Sequence, residues 1–189
     1  MAAFRAPSSL SDAADEILAD RAGDGDLRAF EVLMRRHTPL LRVTTRRILG
    51  SSADVDDIVQ DTFLTAWRQL PGLENSKAVK GWLLRIASRK SIDRIRARHE
   101  HDDIDDHADN LEDTAPKPEH VSEANSRQAA LSEALSRLPE DQRRAWVLRE
   151  LSQYSYEDIA QDLGVPTTTV RGLLVRARKN LMREMEAWR

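Results

Sequence analysis

An all-α fold, divided into two small helical domains with a flexible acidic linker between them, is the expectation from these 189 residues. Apolar residues recur at spacings of three and four along most of the chain, the period of an amphipathic helix. Aromatics make up 5% of the sequence, with seven Gly and seven Pro, which favours helical packing over a strand-rich sandwich or barrel. Charge is segregated as well. From Lys77 to Arg98 eight Lys/Arg face one acid, Asp93; from His99 to Asn125 ten acids face one Lys117; from Arg171 to Arg183 five basic residues stand with no acid. A net charge of -3 conceals two cationic segments around an anionic one.

At this length two domains of under ~100 residues each are expected, each with a modest core. Residues 1–25 read as an N-terminal extension. They lack the basic-then-apolar pattern of a secretory leader, and no segment approaches the ~20 apolar residues of a membrane span, so the expectation is a cytoplasmic chain with no membrane insertion. The first domain is placed at residues 26–98. Its first helix, from about Asp26 to Leu49, carries Ala29, Phe30, Leu33, Leu40 and Leu41, and Gly50-Ser51-Ser52 supplies a stop and a new cap. A second, Asp54 to Leu70, sets Val55, Ile58, Val59, Phe63, Ala66 and Leu70 on one face, with Asp54, Asp56, Asp57 and Asp61 elsewhere, acids that suit a helix N-terminus. Pro71-Gly72 breaks the chain before a third helix, about Lys77 to Arg98, anchored by Trp82, Leu83, Ile86, Ile92 and Ile95.

Residues 99–127 are assigned to the linker, since they lack apolar periodicity and cannot offset the cost of ordering by burying surface. They contain four of the five histidines. Nitrogen and carboxylate groups there suit a divalent ion, but a segment without a frame cannot fix ligand geometry, so a tether is the preferred reading and no metal site or cofactor is expected. The second domain, 128–189, resumes with helices through Leu135 and Leu138, from Pro139 to about Leu151, from Tyr156 to Leu163, and from about Pro166 to Met185. No cysteine is present, which excludes a disulfide framework, a thiolate zinc site and thiol redox sensing within the chain.

Residues 156–181, YEDIAQDLGVPTTTVRGLLVRARKNL, describe a helix-turn-helix. Ile159, Leu163, Val165 and Val170 are apolar, Ala160 is small where two helices approach, and Gly164 stands where the turn needs a left-handed backbone. Val170, Leu174, Ala177 and Leu181 form one buried stripe. The other side then presents Thr167, Thr168, Arg171, Val175, Arg178 and Lys179, hydroxyls at the helix start and cations along it, as a major groove and its phosphates require. An amphipathic hairpin with a solvated basic face is the bland alternative, and it leaves the glycine turn and small residue unexplained.

Two blocks, DVDDIVQDTFLTAWRQL followed by GWLLRIASRKSIDRIRAR, and LSRLPEDQRRAWVLRELSQYSYEDIAQDLGVPTTTVRGLLVRAR, resemble the two conserved domains of extracytoplasmic-function sigma factors, in the same order and spacing. The resemblance covers about residues 26–98 and 128–185. It implies a sigma2-like helical bundle and a sigma4-like helix-turn-helix domain. Its implied partners are core RNA polymerase, at the largest-subunit clamp and the flap region, promoter DNA, and an anti-sigma factor.

The resemblance also implies residue roles. The helix from Asp54 to Gln69 would dock on the polymerase clamp, with Asp54, Asp57, Gln60, Asp61 and Leu64 at the contact and Phe63 and Trp67 supporting it. The segment Leu70 to Val79 would capture an unstacked minus-ten base, and Asn75, Lys77, Lys80, Trp82, Arg85, Arg89, Lys90, Arg94, Arg96 and Arg98 are the nominated minus-ten contacts. Not all of these can face DNA, because a helix turns about 100° per residue. Trp82 is a wedge or, more simply, core. For the minus-thirty-five element the nominees are Arg149, Thr167, Thr168, Thr169, Arg171, Val175, Arg176, Arg178 and Lys179. Departures from the family pattern lie at Gly172, at Leu173 in the place of a DNA-facing arginine, and at Arg89 where asparagine is common. The linker would run through a basic channel of the polymerase, where its charge acts as a polyanion mimic.

Other readings are a conventional dimeric operator-binding regulator, an enzyme, or an anti-sigma antagonist. An enzyme lacks support, with no glycine-rich phosphate loop and no catalytic constellation outside the linker. An operator binder would act on duplex DNA without polymerase.

Overall fold

The computed structural model describes residues 9–102 and 123–186, and among these every regular element is helical. A short 3-10 turn, Leu10–Asp12, leads into α1 (Asp15–Gly23), followed by α2 (Leu27–Leu49), α3 (Val55–Gln69) and α4 (Val79–Asp102), with 3-10 turns Leu70–Gly72 and Ser76–Ala78 between the last two. The second unit comprises α5 (Glu123–Ser136), α6 (Glu140–Glu150), α7 (Tyr156–Leu163) and α8 (Thr167–Glu186). No helix of the described residues is long and apolar enough to cross a membrane.

The starts and stops follow local chemistry. Asp26 caps α2 by accepting from the backbone N–H groups of Arg28 and Ala29 at 3.0 and 3.2 Å; the Ala29 bond and the Arg21 guanidinium hold its carboxyl below the usual range. Gly50 ends α2 in the left-handed region. Ser155 and Asp158 close a reciprocal capping box on α7, and Gly164 ends that helix at φ 66 and ψ 30.

The first core gathers Leu33, Leu41, Phe63, Ala66, Leu83 and Ala87 from α2, α3 and α4. It also takes Ala13, Leu18, Ala19 and Ala22 from the N-terminal segment, so α1 is a component of the bundle and not an appendage to a domain starting at residue 26. The tether's edges are helical too. α4 runs to Asp102 and α5 starts at Glu123, leaving the rest of the sequence-assigned linker, with His107 and His120, outside the described residues.

One buried base sits in this bundle. His37 is 5% exposed, with Nε2 2.9 Å from Asp15 Oδ2 but without the alignment of a good hydrogen bond. Burial pushes its pKa below the ordinary 6.5; Asp15 opposes that shift, and Arg36 and Lys80 add to it. The folded state thus prefers neutral His37 while the unfolded chain takes up the proton first, so stability is complete above pH 6.5 and declines as pH falls below it. The thermal midpoint is expected to fall as pH drops below about 6.5 in the parent chain and to be flatter there in His37→Gln. A parent profile as flat as the variant's would contradict this.

Candidate nucleic-acid interface

The second core explains the helix-turn-helix geometry. Ile159 and Ala160 of α7 meet Val170, Leu173 and Leu174 of α8, and Ala177 and Leu181 continue the stripe against Ala134, Leu135 and Leu138. With that face buried, Thr168, Thr169, Arg171, Val175, Arg176, Arg178 and Lys179 point outward, and Thr167 is half-buried. Val175 is 65% exposed in the middle of this cationic face, an apolar group suited to a thymine methyl. Leu173 is only 7% exposed, so it stands in the core and not on the exposed cationic face; an apolar residue is what that position requires.

Not every nominated cation is equally available. Arg178 Nη2 lies 3.1 Å from Glu150 Oε1. Arg149 donates to the Tyr154 carbonyl at 2.6 Å and stacks 5.0 Å from the Tyr156 ring, so it ties the α6–α7 turn together. Arg171 sits 5.9 Å from the same ring and remains exposed.

In the first unit, α3 presents Asp56, Asp57, Gln60 and Asp61 to solvent beside Leu64, itself 50% exposed. Phe63 is 4% exposed, edge-on to Phe30, and cannot touch a partner directly. Trp67 packs at 4.9 Å on the same ring, so both aromatics brace α3 from beneath. Asp54 differs from its nominated docking role. It adopts φ 61, which short polar side chains tolerate, and its carboxylate binds Arg94 at 2.9 Å and Arg98, clamping α4 to the start of α3. Arg94 and Arg98 are half-buried in that clamp.

Asn75 is exposed in the turn before α4, with Oδ1 accepting from the Lys77 N–H at 3.2 Å. This turn is braced from α1, a role that the sequence pattern does not announce: Ser76 hydrogen-bonds Asp20, and Lys77 Nζ lies 3.7 Å from Glu16. The available signal was Leu18 and Ala22 at i, i+4 behind the first-turn acids Asp15 and Glu16. Along α4, Lys80 and Arg89 are exposed and Lys90 half-buried, while Trp82 is half-buried against the first core, its simpler reading. Arg85 and Arg96 are engaged by the second unit. Arg85 Nη2 is 3.1 Å from Asp158 Oδ2, and Arg96 Nη2 donates to the carbonyls of Gln161 and Asp162 at 3.2 and 2.6 Å.

The geometry is that of two cationic helices, α4 and α8, with an acidic helix face on α3, an arrangement able to hold nucleic acid and a protein partner together. Residues 33–100 match the family model for sigma-70 region 2, and residues 128–181 match that for sigma-70, region 4. The chain is 35% identical over 173 residues to RNA polymerase sigma factor NccH of Alcaligenes xylosoxydans xylosoxydans, covering 88% of this chain and 92% of that protein. It is 36% identical over 168 residues to the ECF RNA polymerase sigma factor SigM of Mycobacterium tuberculosis, covering 89% and 82%. Among solved structures, the sigma factor RpoE in complex with the anti-sigma factor NepR from Bartonella quintana aligns with TM-score 0.62 and 26% identity over 86% of this chain and 100% of the other. CnrH in complex with the cytosolic domain of CnrY aligns with TM-score 0.52 and 29% identity over 92% and 97%. With both regions matched in order and relatives of this identity along nearly its whole length, the chain belongs to the sigma-70 family, in its extracytoplasmic-function group.

Proposed function

We propose that this chain is an alternative sigma factor that binds core RNA polymerase and directs initiation at particular promoters, acting as a binding protein in the cytoplasm and not as an enzyme. The carrying observation is that the exposed acidic face of α3 and the exposed cationic face of α8 lie in one chain, each inside a region matched by its own family model. In this reading Asp57, Gln60, Asp61 and Leu64 dock on the polymerase clamp, and the second unit reaches the flap region. Asn75 and Lys77 line the pocket for a flipped minus-ten base, with Lys80, Arg89 and Lys90 on the adjoining phosphates. Removing a base from the stack costs a few kcal/mol, which pocket and phosphate interactions together offset.

On α8, Thr168, Thr169, Arg171, Val175, Arg176 and Lys179 read and grip the minus-thirty-five element. Control by an anti-sigma factor is part of the proposal, supported by two solved relatives being complexes with a second protein.

Arg176→Ala and Lys179→Ala are each expected to weaken promoter binding by the polymerase complex about equally across sequences, and to reduce the slope of log affinity against log salt by about 0.9 for each phosphate no longer neutralised. Filter-binding titrations at several salt concentrations check this; an unchanged slope in both variants would show that α8 does not grip the DNA backbone. The reading as a whole is tested by titrating labelled chain with purified core polymerase. Tight one-to-one binding supports it, whereas specific operator binding by the chain alone, with no affinity for polymerase, would favour a conventional regulator.

A further inference from the structure

The turn that joins α3 to α4 is tied to α1 at both of its ends. Leu70 and Val79, where it leaves and rejoins the helices, are buried in the first core, and between them Pro71, Gly72, Glu74, Asn75 and Lys77 are exposed. Its own hydrogen bonds are local. Leu73 N–H donates to the Leu70 carbonyl at 3.0 Å and Ala78 N–H to the Asn75 carbonyl at 2.9 Å. Helix α1 supplies the longer-range ties. At its C-terminal end Gly23 lies against the backbone of Leu70 and Pro71, where an added Cβ would stand 3.6 Å from the Leu70 carbonyl oxygen. One turn earlier the Ser76 hydroxyl donates to Asp20 Oδ1, and one turn before that Glu16 Oε1 lies 3.7 Å from Lys77 Nζ.

The two side-chain ties are unequal. Lys77 and Glu16 are open to solvent, and an ion pair at 3.7 Å contributes little there. The Ser76 tie is a hydrogen bond to a carboxylate, stronger than one between neutral groups. Ser76 stands between Asn75 and Lys77, so this bond sets the rotation of the 3-10 turn Ser76–Ala78 and the direction in which those two neighbours face.

We infer that Asp20 is a positioning residue for minus-ten capture, acting through Ser76 to hold the turn in the shape that accepts a flipped base. This deepens the reading of Leu70 to Val79 as the base pocket and rests on it. A turn that is already ordered loses no further conformational freedom when the base enters, and affinity is kept. The sign of the effect separates this role from plain electrostatics. An acid beside a DNA-binding turn repels phosphates, so charge alone predicts tighter binding once Asp20 is removed, whereas positioning predicts the reverse. The effect also belongs to one stage, because the pocket is used only after a base has left the stack.

The test uses holoenzyme assembled from core polymerase and the full chain, on a promoter that the parent transcribes, with the fluorescent base 2-aminopurine in the minus-ten segment to report unstacking. Asp20→Ala is expected to weaken binding to a fork template, single-stranded across the minus-ten segment, by about fivefold, the loss of one hydrogen bond to a carboxylate. The fluorescence rise on duplex promoter should slow to a similar extent. Binding to core polymerase and to a duplex carrying the minus-thirty-five element alone should be unchanged, with the thermal midpoint moving by no more than about 2 °C. Asp20→Asn keeps an acceptor oxygen without the charge and is expected to stay within about twofold of the parent. Asp24→Ala removes an exposed acid just beyond α1 and should leave fork binding as it is. Ser76→Ala is expected to match Asp20→Ala, and the double variant to be no worse than either, since all three remove the same bond. Unchanged or tighter fork binding by Asp20→Ala, a loss that extends equally to polymerase binding, additive losses in the double variant, or an Asn variant as weak as the Ala variant would each overturn the proposal. A parent holoenzyme that yields no transcript would instead sink the sigma-factor reading.

Discussion

Reversing Asp57 and Asp61 together to arginine is expected to weaken binding to core RNA polymerase by about a hundredfold or more. Both side chains are exposed on α3, one in its first turn and one in its second, so fold stability loses little beyond the roughly 0.3–1 kcal/mol that an acid contributes near a helix N-terminus. At an interface the same change replaces attraction by like-charge juxtaposition, which costs several kcal/mol, and about 2.7 kcal/mol already amounts to a hundredfold. Phe63 and Trp67 beneath this face are packed on Phe30 and keep α3 in place in the variant. Fluorescence anisotropy of a labelled chain titrated with polymerase measures the loss, and a thermal melt checks that the fold survives. Weakening of less than threefold would remove the acidic face from the interface.

Leu18→Ala is expected to lower stability by about 2–5 kcal/mol, the cost of truncating a fully buried leucine. Leu18 is 0% exposed and joins α1 to the first core. For a chain of this size each kcal/mol moves the thermal midpoint by about 2–4 °C, so a fall of roughly 4–20 °C is expected. Leu27→Ala is the control, since Leu27 is 66% exposed and its truncation should change stability by about 0.5 kcal/mol or less. Because α1 also holds Ser76 and Lys77 through Asp20 and Glu16, partial fraying of α1 should weaken minus-ten binding before the bundle melts. Equal melting of the Leu18 and Leu27 variants would show that α1 is not part of the core.

Elements with a strong local signature were legible. Helix α7 spans the residues its sequence pattern assigns, because a capping box at Ser155 and Asp158 and a left-handed Gly164 fix both ends within eight residues. The buried stripe of α8 followed from periodicity alone, since Val170, Leu174, Ala177 and Leu181 all face the core. Helix α1 escaped because it is short and half of its apolar residues are alanine, whose burial depends on how closely α2 approaches. Periodicity separates buried from exposed faces, but it does not name the group a long side chain meets. For that reason Asp54, Arg94 and Arg98 read as binding groups although they clamp α3 to α4, and Leu173 read as a replaced DNA-facing arginine although it is core. The contact between the two units was invisible for a related reason: its centre is Ser88 against Ser152, 64 positions apart, residue types with no periodic signal.

Run-off transcription from a library of genomic fragments, using core polymerase saturated with this chain, decides whether the chain directs initiation. Discrete transcripts are expected that are absent with core enzyme alone, start a fixed distance downstream of two shared sequence elements, and disappear with the Asp57/Asp61 reversal. A transcript pattern the same with and without the chain would show that it does not.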